Sequence, residues 1–211
     1  MTDTSLDDYI LAHISPEPDE LREVYRHTYL HHLYPRMCSG HLQGRILKML
    51  TQMIRPMRIL ELGTFTGYSA LAIAEGMPEG AELHTVEIDD EMEDELTARF
   101  AASARGADIH LHIGDALDCI ERLGGEWDMV YIDANKRHYQ AYFDALMPRL
   151  GSGAYILADN TLWGGKVAQT PPPADPQSRG IMEFNDYIAA DRRIETVILP
   201  LRDGLTLMRV K

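Results

Sequence analysis

The sequence predicts an α/β fold: a seven-stranded, mostly parallel sheet with helices on both faces and one antiparallel strand. Three observations predict it. Arg58 to Met77 (RILELGTFTGYSALAIAEGM) reads as a buried strand, a glycine turn and a helix, the unit from which parallel sheets are built. Four later runs, Glu82 to Glu87, Ile109 to Ile113, Asp128 to Asp133 and Gly153 to Asp159, are short, apolar or alternating, and stop at acids or glycine. Near the end, Ile194 to Pro200 and Leu205 to Val210 flank Arg202-Asp203-Gly204, a hairpin signal that makes the last strand antiparallel.

Composition narrows the class. The chain of 211 residues is long enough to bury a full core, and one domain over 1–211 is the default, with 1–35 as a helical extension. A formal net charge of -13 weighs against a broad nucleic-acid footprint. The opening MTDTSLDDYI is polar and acidic, unlike a signal peptide, and no apolar run approaches the ~18 residues of a membrane span. Cys38 and Cys119 lie far apart without metal-type spacing, so a reduced, cytoplasmic setting is expected.

In chain order, Leu6, Tyr9 and Ile10 give a first helix one apolar face, Pro16-Glu17-Pro18 interrupts, and a second helix starts at Asp19. His27 and His31, four apart, share a face as a metal pair would, with His32 beside them. No carboxylate or cysteine joins them in the sequence, which favours a plain histidine-rich helix. Gly40 and Gly44 precede a helix through Ile54 and suit close packing as well as ligand contact. In the first unit, the dinucleotide pattern needs a second glycine for a pyrophosphate, and Phe65 stands there instead. What remains, Glu61-x-Gly63-x-x-x-Gly67, fits a ligand with an adenosine and no phosphate, S-adenosylmethionine first among them.

Glu87 ends the second strand a little over twenty residues past Gly63, where a carboxylate can accept from both ribose hydroxyls; capping by Glu87 or Asp89 is the plainer alternative. The helix from Glu91 to Ala104 starts acidic, as its dipole prefers. Asp115 either meets an adenine amino group or caps the helix that opens there. Asp133, Asp159 and Asn160 end the fourth and fifth strands, where open parallel sheets bind ligands. Two carboxylates and an amide are hard oxygen donors, suited to Mg²⁺ or another divalent cation rather than zinc. Beside such a cation Lys136 could serve as a base; alone it reads as a surface lysine. Thr161 to Gln177 is a long glycine- and proline-rich loop. Its Trp163 either covers a planar substrate or packs inside. A helix from Ile181 to Asp191 follows.

Taken together, ELGTFTGYSAL at Glu61, VEID at Val86, YIDANKRHY at Tyr131 and LADNTLWGGKV at Leu157 resemble the cation-dependent class I O-methyltransferases, the catechol and caffeoyl-CoA O-methyltransferase family. The likeness runs from about Met37 to Val210. It implies a Rossmann-like sheet, S-adenosyl-L-methionine as cofactor, a homodimer, metal ligands at Asp133, Asp159 and Asn160, and a catalytic lysine at Lys136. It implies cofactor contacts at Met37, Ser39, Gly63, Phe65, Ser69, Glu87, Ala116 and Asp133. Ala134 and Asn135 stand where relatives often carry histidine or aspartate. The implied reaction is methyl transfer to a hydroxyl of a small aromatic with vicinal dihydroxy groups. A tRNA methyltransferase acting on 5-hydroxyuridine, with a basic patch of Arg36, Lys166 and Arg179 near Trp163, is the alternative. A cofactor-binding relative without catalysis is the third reading.

Overall fold

A computed structural model describes residues 5–211. Two helices lead, α1 (Leu6–Ala12) and α2 (Asp19–His31), followed by α3 (Gly40–Ile54). Ser5 caps α1 in a reciprocal box with Asp8, satisfying amides that a helix start leaves bare. The alternating part runs β1 (Arg58–Leu62), α4 (Tyr68–Gly76), β2 (Glu82–Glu87), α5 (Glu93–Ala102), β3 (Ile109–Ile113), α6 (Ala116–Leu123), β4 (Trp127–Ile132), α7 (Tyr139–Leu146) and β5 (Leu150–Asp159). Then come α8 (Pro176–Ala190), β6 (Ile194–Leu199) and β7 (Leu205–Val210).

The seven strands form one sheet in the order β3-β2-β1-β4-β5-β7-β6. β7 is antiparallel to both of its neighbours, and the other pairings are parallel. Side chains alternate across the sheet as strand geometry demands. Leu60, Leu62, Val130, Ile132, Ile156 and Ala158 enter the core under α6, α7 and α8. Ile59, Met129, Tyr131 and Leu157 enter the core under α2, α3, α4 and α5. The strand order reverses between β1 and β4, so the crevice for a ligand opens there, at the carboxyl ends of the strands.

The structure corrects several expectations. Helix α7 was not anticipated, although Tyr139, Tyr142, Phe143 and Leu146 are spaced three or four apart and all buried. Helix α8 begins at Pro176, five residues before the expected Ile181. Asp175 caps it by accepting from the Ser178 amide, and proline suits its first position. The loop after Asn160 is correspondingly shorter and holds a 3-10 segment, Trp163–Ala168. The acidic helix after Glu87 begins as a short 3-10 turn, Asp90–Met92, before α5. Gly44 serves packing, because a Cβ there would lie 2.9 Å from the Tyr68 ring. Both cysteines are buried and free. Among the described residues no helix is long and apolar enough to cross a membrane.

Candidate active site

The turn after β1 is built on Gly63. Its φ is +96°, and a Cβ would sit 2.2 Å from the Asp133 carbonyl oxygen, so only glycine lets β1 pass so close to the end of β4. Gly63 and Thr64 donate their amides to the Val86 carbonyl. Phe65, at φ 48°, donates its amide to Glu87 Oε2 at 2.7 Å, and Ile88 and Asp89 donate theirs to Glu87 Oε1. Three of the roughly four lone-pair sites of this carboxylate are therefore taken by backbone. Glu87 locks the glycine turn to the end of β2, whatever else it binds. Asp89 accepts from the Glu91 amide and Asp115 from the Leu117 amide, so both are caps.

Glu61 lies under that turn with no exposed surface. Its Oε2 accepts from the Thr85 hydroxyl at 2.6 Å, while Oε1 is buried without a partner. Burial, opposed by hydrogen bonds, pushes this carboxyl up to about 8. Ser69 is buried on the first turn of α4, and Ser39 just ahead of α3; Met37 is exposed beside it.

The acids at the ends of β4 and β5 share one organised polar cluster. Lys136 is nearly buried, and its Nζ donates to Asp133 Oδ1 at 2.5 Å. Asp159 Oδ2 accepts from Gln43 Nε2 at 2.6 Å and from the Tyr131 hydroxyl at 3.1 Å, and Oδ1 accepts from the Asn160 amide. Burial first, then the charge of Asp133, pushes Asp159 up to about 6. The two carboxylates thus repel each other in a site poor in water. Asn160 follows at φ 58°, the left-handed region that asparagine tolerates best. The Tyr139 hydroxyl donates to the carbonyls of both Ile132 and Asp159 and clasps the two strand ends together.

Three contributors to this cluster were not singled out from sequence. Gln43 reaches Asp159 from α3, and Arg202 in the β6–β7 turn donates to Gln43 Oε1 at 2.6 Å and to the Ser39 carbonyl. Tyr139 is the third. These contacts join positions more than a hundred residues apart, or lie on a helix that was not anticipated, so no local spacing marks them.

An O-methyltransferase family model matches residues 12–211. The chain belongs to this family. A caffeoyl-CoA O-methyltransferase from Petroselinum crispum is 32% identical over 207 residues, covering 92% of this chain and 84% of the relative. An O-methyltransferase from Bacillus cereus solved with SAH superposes with a TM-score of 0.90 at 27% identity, covering 98% and 97% of the two chains. The O-methyltransferase of tomaymycin synthesis from Streptomyces achromogenes, solved with SAM, gives 0.89 at 27% identity over 98% and 96%. This chain is accordingly an S-adenosylmethionine-dependent O-methyltransferase.

Other expected positions of the O-methyltransferase behave differently. The Trp163 ring packs against the core beneath α8, and its indole nitrogen is buried without a partner. Lys166 lies 6.0 Å from the Trp163 ring and is also 3.8 Å from Asp175, so its charge is partly countered. A carboxylate does join the histidines of α2, contrary to expectation. Glu95 of α5 lies 3.5 Å from His27 and 3.3 Å from His32. His31 stays outside this group, its ring tilted against His27 with centroids 4.5 Å apart. Arg99 lies 2.8 Å from Glu95 and 3.4 Å from His27, so this carboxylate already has a cationic partner.

Glu61 carries a pH prediction. A carboxyl raised from its ordinary 4.5 to about 8 by burial binds more protons folded than unfolded. Its contribution to stability is complete below pH ~4.5 and is lost as pH rises toward 8. In urea unfolding of the cofactor-free enzyme, Glu61→Gln should flatten the fall in stability across that window. Equal slopes for both proteins would show that Glu61 is ionised in the fold.

Proposed function

We propose that this enzyme is a divalent-metal-dependent O-methyltransferase that moves a methyl group from S-adenosylmethionine to a hydroxyl of a catechol-like small aromatic. The observation that carries this reading is the set of Asp133, Lys136, Asp159 and Asn160 at adjoining strand ends, with Lys136 Nζ 2.5 Å from Asp133. The donor set fits a hard cation. Buried Asp159 and partly buried Asp133, with Lys136 paired to the latter, form the kind of site that a divalent ion stabilises. Asp133, Asp159 and Asn160 would hold it, and a bound Mg²⁺ would supply Lewis acidity toward the substrate hydroxyl.

The protein's own groups do the remaining work. Gln43, held by Arg202, and Tyr131 fix the orientation of Asp159. Asp133 Oδ1 holds Lys136, which leaves its other oxygen for a cation. Lys136 Nζ is the basic group nearest these acids and takes the hydroxyl proton. Gly63, Phe65, Ser69, Met37, Ser39, Glu61, Glu87, Asp115 and Ala116 would surround the methyl donor. The unpartnered Glu61 Oε1 supports this, since a buried polar atom without a partner is costly unless a ligand supplies one. Orienting both reactants for in-line attack can contribute up to ~7–11 kcal/mol. Trp163, only partly buried where it packs against the core, is the residue we assign to the substrate's flat face.

A homodimer accords with the exposed apolar side chains of the first two helices and the segment after them, Leu6, Tyr9, Leu30, Leu33 and Tyr34. Equilibrium sedimentation at a single 23.8 kDa mass would remove that assignment. The cytoplasm is the compartment that suits two free, buried cysteines. The function itself is tested by Mg²⁺-dependent methylation of a catechol. Methylation of tRNA alone, or cofactor binding without transfer, would replace it with one of the two alternatives.

A further inference from the structure

A second polar cluster lies at the other end of the sheet. Glu82 and His84 alternate onto one face of β2, and His110 and His112 onto the same face of the edge strand β3, where His84 pairs directly with His110. The carboxylate of Glu82 and ring nitrogens of His84 and His110 all come within 4.8 Å of one another. His84 Nε2 is 3.2 Å from Glu82 Oε1, and His110 Nε2 is 4.0 Å from Glu82 Oε2. Donors held ~2.0–2.2 Å from a tetrahedral ion lie about 3.3–3.6 Å apart, a spacing that the His110–Glu82 pair would reach by closing a few tenths of an ångström.

We propose that Glu82, His84 and His110 form a transition-metal site of the zinc type, remote from the acids of the active site. His84 Nε2 is buried yet makes no hydrogen bond, although it faces a carboxylate oxygen. A cation held by the other carboxylate oxygen, Oε2, would give that nitrogen a partner. Its other nitrogen, Nδ1, lies 2.9 Å from His112 Nε2, the outer hydrogen bond that orients most ligating histidines. Burial lowers His84, and burial with the neighbouring His84 holds His112 down at about 4. His110 is half-exposed and offers the entry path. Arg58 is the competing charge: its Nε donates to Glu82 Oε1 at 3.0 Å, and its guanidinium lies 3.9 Å from the Trp127 ring centroid. That leaves Oε2, the oxygen toward His110. Arg122, near His112, is the other positive group facing the cluster. Imidazole and carboxylate donors select zinc, cobalt, nickel or copper over Mg²⁺. His84 is three residues from Glu87, about 10 Å along the strand, so the ion would pin the sheet edge and take no part in methyl transfer.

The test is a Co²⁺ titration of the metal-free full-length enzyme, followed by displacement with Zn²⁺. Asp159→Ala is the background that disables the active-site acids. Asp159→Ala should bind one equivalent with the visible spectrum of four-coordinate cobalt, wild type should show the same spectrum beside the Co²⁺ taken up by the active-site acids, and both should melt at higher temperature with Zn²⁺. His110→Gln and Glu82→Gln should each weaken binding at least tenfold, and His112→Ala by ~10–100-fold, while His110→Gln keeps its Mg²⁺-supported methyl transfer. Circular dichroism verifies folding, and the surface location of His110 makes its variant the safest of the three. Unchanged affinity in folded His110→Gln and Glu82→Gln, or no saturable binding to Asp159→Ala, would overturn the site.

Discussion

Replacing Lys136 with alanine is expected to lower kcat by about 10²–10⁴-fold, the range contributed by a positioned general base, while affinity for S-adenosylmethionine stays within a few-fold. The side chain is nearly buried, its Nζ touches Asp133 and lies 5.4 Å from the Tyr139 ring centroid. The α8 helix presses on its backbone, since a Cβ at Gly180 would be 2.7 Å from the Lys136 carbonyl oxygen. A lysine fixed in this way is not a solvated surface charge. Lys136→Arg separates two roles, because arginine retains the charge and the Asp133 pair yet stays protonated. Arginine should be nearly as inactive as alanine. If arginine restores turnover, Lys136 acts through its charge and some other group takes the proton.

The second large effect is expected at Asp159. Asp159→Ala removes one of two carboxylates from the cation site, strands the Tyr131 hydroxyl proton and leaves Gln43 Nε2 with the Tyr131 oxygen in place of two acceptors. Turnover should fall by at least ~10³-fold, about 4 kcal/mol of transition-state stabilisation. Excess EDTA should reproduce the loss in wild type and do nothing further to the variant. The unpaired partners should also cost ~1–3 kcal/mol of stability, readable in urea. Arg202→Ala loosens only the outer hold on Gln43, so its loss of kcat should be much smaller than that of Asp159→Ala. Full activity of wild type in EDTA would detach these acids from catalysis.

The positions that sequence could reveal were those whose chemistry is local. Gly63 and Gly67 flank one turn, and the acids at the ends of β2, β4 and β5 stop apolar runs, so strand ends and turn were readable from their neighbours alone. Seven strands and the antiparallel β7 followed from the same punctuation. Helix α7 carried a clear three-and-four spacing but sits behind Lys136-Arg137-His138, and its start has no side-chain cap, which hid it. Asp175-Pro176 marks the true start of α8, yet lies in a run of prolines that reads as loop. Gln43 and Tyr131 meet Asp159, and Arg202 meets Gln43, only because α3, β4, β5 and the last hairpin are brought together by the sheet order. The two histidine groups depend on pairings that spacing cannot supply, Glu95 across α2 and α5, and His84 beside His110 across β2 and β3. The alternation of His110 and His112 was the one local hint. Asp115 and Asp89 each accept a capping amide and Glu87 accepts three amides, contacts that the sequence offered as alternatives to ligand binding at Asp115 and Glu87.

The central claim is a methyl transfer that depends on a cation held by the acids at the ends of β4 and β5. It is tested most directly by following labelled methyl from S-adenosylmethionine into a catechol, with Mg²⁺ and with EDTA, beside a parallel arm of tRNA lacking the hydroxyuridine methylation. The account predicts a mono-O-methylated catechol with Mg²⁺, none with EDTA, and no label in tRNA. Equal catechol methylation in EDTA, or label entering only the tRNA, would contradict it.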